Sequence, residues 1–387
     1  MDHDLSPEVN ELRDMVRSFL DRKAPESAVR EAMDSELGRD QAVWQQMAGQ
    51  LGLQGLLVPE ELGGQGTTFV EVGVVLEELG RSLLPGPYLS SAVLAVSAVL
   101  ESGDAAAASD LLPGLAEGTT IGTVAFSQGL TGRPGESTVS ATRAGDQWKL
   151  DGRVDIVLDA QGADLLLVVA PAGEELGLFA VTSAAAGIER TPLDLLDRSR
   201  RAALVELEGV EARRLGGDYA AAEQRLLSLA ASGIVCELAG ASQRILEMAV
   251  DYAKLREQFG KPIGSFQAVK HLCAEMFVTA ESTTAVGRFA ARTAVEDPAE
   301  LAQAASIAKA YAGEACSLAA EQNIQVHGGI GFTWEHPAHL YLRKIKSGEL
   351  LFGGSALHRE RLATLLGLTV DAGSAANAQD MAEVVGV

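Results

Sequence analysis

The chain has 387 residues and a formal net charge of −22, with 53 acidic against 31 basic side chains. Nucleic-acid binding needs Lys and Arg to neutralise phosphates and release counterions, so this charge excludes nucleic acid as a partner and disfavours an anionic membrane surface. At 47% hydrophobic residues the chain can bury a large core shared among two or three subdomains.

The three cysteines, Cys236, Cys273 and Cys316, lie far apart and have no metal-ligand spacing. They suit a reducing compartment. The opening Met1-Asp-His-Asp4 has neither the basic segment nor the apolar core of a signal peptide. The apolar runs are shorter than a membrane span. Together these features predict a cytoplasmic protein with no membrane partner.

Residues 1–118 read as an N-terminal helical domain. Ser6 is placed to cap a first helix and Pro7 fits its first turn, with Leu12, Val16, Phe19 and Leu20 following at helical spacing. A second helix is expected over Gln41 to Leu51, and another over Glu71 to Leu79 ended by Gly80. Ser90 to Leu100 and Ala105 to Leu112 complete the block. Between them, Leu62-Gly-Gly-Gln-Gly66 is a Gly-rich turn without the Lys-Ser/Thr of a phosphate loop.

Residues 119–216 change character. Short β-rich runs at Thr120–Phe126, Ser137–Ala141, Trp148–Leu150, Ala163–Ala170, Gly177–Val181 and Ala202–Leu207 are punctuated by Gly, Asp and Pro. Ala144-Gly-Asp146 reads as a hairpin turn. The spacing predicts a small antiparallel sheet or barrel.

From residue 217 to 370 the pattern is helical again. Helices are expected over Leu226–Leu255, Phe266–Thr293 and Ala299–Val326, followed by two shorter ones, giving an antiparallel four-helix bundle. The last helix should start at an N-cap Ser355 and carry a stripe of Leu357, Arg361, Leu362, Leu365 and Leu366. Residues 371–387, rich in Ala, Gly and Asp, read as a flexible tail. The fold class is α+β.

Three motifs stand out within this order: Leu255-Arg-Glu-Gln-Phe-Gly-Lys-Pro-Ile263 with Phe266-Gln267, Gln325-Val-His-Gly-Gly-Ile-Gly-Phe332, and Leu62-Gly-Gly-Gln-Gly66 with Glu77-Glu-Leu-Gly80. With them, residues 1–368 resemble the acyl-CoA dehydrogenase family. In that family a Glu removes the α-proton of an acyl-CoA thioester while the β-hydrogen passes to FAD, and a dry pocket raises the pKa of that Glu.

The resemblance implies a departure at the loop Ser347–Arg359. The family carries Glu-Gly-Thr there. A gapless alignment puts Phe352 at the Glu and Gly354 at the Thr, and a one-residue slip would put Gly353 at the Glu. The alternative position some members use for the base falls on Ala230, beside Ala231. Neither position can accept a proton, and losing a base costs on the order of 10²–10⁴-fold in rate. The stretch that lines flavin and thioester in typical members is here Ala125–Arg133, which keeps little of the pattern, and the one bordering the flavin ring is Ile156-Val-Leu158.

By contrast, the resemblance implies that groups offered to a neighbouring subunit's FAD are kept: Arg256, Phe259, Gln267, Gln325, Gly328 and Gly329. Arg suits pyrophosphate oxygens, and glycines let backbone N–H groups approach a phosphate. The combination is similar to the non-catalytic subunit of α2β2 actinobacterial acyl-CoA dehydrogenases that act on steroid side-chain CoA thioesters. It implies a catalytic paralogue as partner and an acyl-CoA as substrate. No catalytic residue is expected in this chain. Two other readings compete. One is a stand-alone homo-oligomeric flavoenzyme with a displaced base, Glu349 or Glu237, the latter about 10 Å along the helix from Ala230. The other is a non-enzymatic acyl-CoA binder. His327, His336 and His339 lack a completing carboxylate or Cys, so no metal is expected. His327 is expected to order the Gly-Gly turn.

Overall fold

The computed structural model describes residues 5–131, 135–145 and 147–368. The expected tail at 371–387, Arg133 and the Asp146 of the expected hairpin turn lie outside the described residues.

Six helices come first: α1 (Pro7–Lys23), α2 (Glu26–Asp34), α3 (Gln41–Leu51), α4 (Phe69–Ser82), α5 (Val96–Glu101) and α6 (Ala105–Ala116). The Ser6 hydroxyl accepts from the Val9 N–H at 3.3 Å and Pro7 opens α1, as the sequence predicts. The segment predicted as a helix from Ser90 instead runs as a π-helix over Tyr88–Ala95 before α5.

The predicted stop at Gly80 is overturned: α4 continues to Ser82. A Cβ at Gly80 would collide with the carbonyl of Glu237, and one at Gly240 would collide with the carbonyl of Glu77. Two facing glycines thus let the backbones of two helices meet, and this close approach outweighs the intrinsic cost of Gly in a helix. The neighbouring Glu77 and Glu78 are buried and pair with different elements. Glu77 pairs with Arg288 at 3.1 Å and Glu78 with Arg17 at 2.6 Å.

Seven strands follow: β1 (Gly122–Ala125), β2 (Ser140–Ala144), β3 (Gln147–Leu158), β4 (Leu165–Ala172), β5 (Glu175–Thr182), β6 (Ile188–Pro192) and β7 (Ala202–Leu215). Their order is β1-β4-β5-β7-β3-β2, with β6 on β7. All pairings are antiparallel except β1 with β4, which is parallel. Ala144 faces Gln147 across the expected hairpin. β6 has no counterpart in the sequence reading, because it is a mostly exposed edge strand without apolar alternation.

The C-terminal helices are α7 (Ala220–Leu255), α8 (Gln267–Glu296), α9 (Leu301–His327), α10 (Ala338–Leu350) and α11 (Ser355–Leu365). α7 is the axis, packed against α4, α8, α9 and α10, while α11 lies on α9. By length and composition α7 is apolar enough to cross a membrane, contrary to the expectation that no run is long enough, but 89% of its most apolar window is buried in the bundle.

Candidate functional site

The loop between α10 and α11 joins the bundle to the sheet. Phe352 is 2% exposed and adopts φ 58°, a left-handed conformation that costs a non-glycine residue energy. Its N–H donates to the carbonyl of Leu130 at 2.8 Å. Its ring meets Phe126 edge to face at 5.9 Å. The turn that carries Phe126 and Leu130 is anchored to α7, where Glu223 accepts from the Ser127 N–H at 2.7 Å and the Ser127 hydroxyl at 2.6 Å. Val157 and Leu158, in the stretch aligned with the flavin border, are buried in the core.

Polar side chains hold this loop by its backbone. Lys309 on α9 is fully buried and donates to the carbonyls of Glu349 at 2.9 Å and Gly353 at 2.7 Å. Burial pulls its pKa down to about 7. His358 on α11 places Nε2 3.0 Å from the Phe352 carbonyl, to which it donates, and its Nδ1 accepts from the Ser306 hydroxyl at 3.3 Å. Burial, reinforced by Lys309, lowers His358 to about 4, so its ring is neutral at pH 7. Sequence reading missed Lys309, although a signal was available: it shares a helical face with Ala305, Ala312 and Cys316, all buried.

The two displaced-base candidates are engaged elsewhere. Glu349 accepts from the Ser317 hydroxyl at 2.5 Å and lies 3.6 Å from Lys346, so it faces α9. The adjacent Gly348 faces Ile234 and Leu238 of α7, the helix that carries Ala230. Glu237 is buried between Lys344, at 3.0 Å, and Arg200, with which it also pairs. The predicted cap at Ser355 is corrected too. Gly354 is the N-cap, and the buried Ser355 hydroxyl faces Gly313 of α9 with no hydrogen-bond partner among the described residues. The apolar stripe expected on α11 is not its buried face. Ser355 and His358 are buried, whereas Leu365 and Leu366 are 52% and 50% exposed.

The six residues expected to serve a neighbour's cofactor sit at the other end of the bundle. Tyr252 stacks on His327 at 4.6 Å, bringing the end of α7 against the end of α9. One turn beyond Tyr252, Arg256 starts a hairpin closed by the Ile263 N–H on the Arg256 carbonyl at 2.7 Å. The Arg256 side chain is exposed and has no acidic partner among the described residues. Phe259, at φ 54°, is 90% exposed, with Phe266 6.1 Å from it edge to face. Gln267, Gln325, Gly328 and Gly329 are exposed as well.

Gly328 has φ 62°, which requires glycine, and a Cβ at Gly328 or Gly329 would meet nothing. Packing within the chain therefore does not account for Gly329. The open backbone, the unpaired guanidinium and the exposed aromatic suit a phosphate-bearing group. His327 is buried beneath the turn and donates from Nδ1 to the Asn323 carbonyl of its own helix at 2.8 Å, not to the Gly-Gly turn it was expected to order. His336 accepts from the Ala338 N–H at 3.2 Å. Among the described residues no group of His, Cys, Asp or Glu could hold a metal.

A helical block, a seven-stranded sheet and a helical bundle follow one another along the chain, and the 352 loop of the bundle bonds to the turn after β1. The acyl-CoA dehydrogenase N-terminal domain matches residues 6–119 and the C-terminal domain matches residues 219–366. The chain belongs to the acyl-CoA dehydrogenase family, whose members bind FAD. It is similar to the acyl-CoA dehydrogenase IpdE2 of Mycolicibacterium smegmatis, at 34% identity over 90% of this chain and 96% of that protein. The Mycobacterium tuberculosis IpdE2 is 36% identical over 86% and 89%. Among solved structures, one chain of the ChsE4–ChsE5 complex of Mycobacterium tuberculosis superposes with a TM-score of 0.87 at 30% identity, covering 96% of this chain and 100% of that chain. A variant of the Tcur3481–Tcur3483 steroid acyl-CoA dehydrogenase gives 0.86 at 31%, covering 94% and 99%.

Proposed function

We propose that this chain is the non-catalytic subunit of a heteromeric, cytoplasmic, FAD-dependent acyl-CoA dehydrogenase. It pairs with a paralogue that supplies the base, in an α2β2 assembly with one FAD per heterodimer. The observation that carries the reading is Phe352. A buried phenyl ring, packed on Phe126, stands at the position aligned with the base, and the polar groups around it are spent on backbone carbonyls. FAD, when bound, supplies the oxidant for α,β-dehydrogenation of a CoA thioester. Arg256 would neutralise its pyrophosphate, the Gly328-Gly329 turn would admit a phosphate to the backbone, and Gln267, Gln325 and Phe259 would flank it. The relatives whose names specify a complex or a steroid enzyme point to a bulky, steroid-type acyl group.

The test is purification of the chain alone and with a family paralogue that carries Glu-Gly-Thr in this loop. The expected result is a colourless or insoluble lone chain and a yellow complex with about half a flavin per chain. A yellow homo-oligomer that dehydrogenates an acyl-CoA without a partner would overturn the reading.

A further inference from the structure

A cleft of about 530 Å³ lies between the first turns of α7, the start of α9 and the outer side of α11, within the size range of small-molecule sites. Its walls are chiefly apolar: Leu227, Leu301, Leu357 and Leu365. Two arginines line it. Arg225 is already committed, to Glu101 at 2.7 Å and the Ala294 carbonyl at 3.3 Å. Arg361 is half-buried, and no acceptor meets its guanidinium among the described residues. Burial with no counter-charge lowers its pKa. An anion that also brings apolar surface would satisfy both features of the cleft.

We propose that this cleft binds an amphipathic monocarboxylate, with its head group on Arg361 and its apolar body along Leu227, Leu301, Leu357 and Leu365. A carboxylate matches one guanidinium fork in charge and geometry. A dianionic phosphate would leave surplus negative charge beside the exposed Glu360 on a chain of net charge −22. The floor of the cleft is His358, whose ring donates to the Phe352 carbonyl, so a bound acid rests against the support of the 352 loop. The site uses none of the residues assigned to the cofactor above and stands independently of the subunit role.

The experiment is calorimetric titration of dodecanoate, below its micelle concentration, into the full chain in the assembly in which it purifies. Parallel titrations use Arg361→Gln, Arg361→Lys, dodecanol as the uncharged match, and free coenzyme A. The expected result is one Arg361-dependent equivalent per chain, weakened about tenfold or more by Arg361→Gln and less by Arg361→Lys, with dodecanol failing to compete. Arg361→Lys keeps the test decisive if Arg361→Gln does not fold. Three outcomes overturn the proposal: no saturable dodecanoate binding, affinity unchanged in both variants, or Arg361-dependent binding of coenzyme A but not of dodecanoate.

Discussion

Replacing Lys309 by Met tests whether the 352 loop is held by a neutral, buried amine. Met keeps much of the volume and removes the donors. The carbonyls of Glu349 and Gly353, now 2.9 and 2.7 Å from Nζ, lose their partner, at about 1–3 kcal/mol for each group left unsatisfied. The pH dependence is more specific. In the unfolded chain a Lys titrates near 10.4, whereas burial holds Lys309 at about 7 in the folded protein. Between these values the unfolded state binds the extra proton, so wild-type stability rises with pH across this window. Below pH 7 both states are protonated and the gain is absent. From pH 7 to 9 the gain is about 2 kcal/mol through this residue, with half-titration at the start allowed for. Lys309→Met lacks it. Urea unfolding of wild type and variant at pH 7, 8 and 9, in the same assembly, should give a stability difference that widens by that amount as other groups cancel. A difference that stays flat or shrinks with rising pH would refute the neutral-amine latch.

Arg256→Ala should lower flavin content in the co-purified complex, read from absorbance per protein, while subunit stoichiometry stays the same. Full flavin retention would count against a cross-subunit role for this residue. Gly240→Ala should lower the melting temperature by several degrees, because the new Cβ would collide with the Glu77 carbonyl and overpacking costs about 1–3 kcal/mol; an unchanged melt would show that α4 and α7 can separate freely. Glu237→Gln leaves Arg200 and Lys344 without their shared buried carboxylate, so urea unfolding should register a loss of about 3 kcal/mol, and a loss below 1 kcal/mol would contradict the pairing seen here.

The sequence made the helices legible where local chemistry marks them. Ser6 and Pro7 start α1 as their residue types predict. Errors arose where a long-range contact set the conformation. Gly80 looks like a stop because glycine is a poor helix former, but a facing helix needs the space that its missing side chain leaves. Ser355 looks like a cap, but packing against α9 turns its hydroxyl inward. The β6 strand is held by backbone pairing with β7, which leaves no apolar alternation to detect. At the 352 loop, the family pattern led to the expectation that Phe352 replaces a carboxylate. It could not give the latch, since Lys309 and His358 act on backbone carbonyls brought close only by the packing of α9 against α10 and α11.

The two ends of the bundle differ in how their demands are met. At the 352 loop the strained Phe352 backbone is compensated within the chain: its N–H and carbonyl are both bonded, its ring is covered by Phe126, and the adjoining carbonyls are taken by Lys309. At the Arg256 end the left-handed Phe259 closes the short hairpin in which Gln258 pairs with Lys261, and it is the side chains that stay exposed. Phe259 bears a left-handed backbone and leaves 90% of its surface in water, so burying its ring against a second chain would contribute roughly 1.5–3 kcal/mol toward association. Beside it stand an arginine without a carboxylate among the described residues and a glycine turn whose openness no described contact requires. The 352 loop is thus satisfied within the chain, whereas the exposed Arg256 and Phe259 are the groups that the proposed cross-subunit role would use.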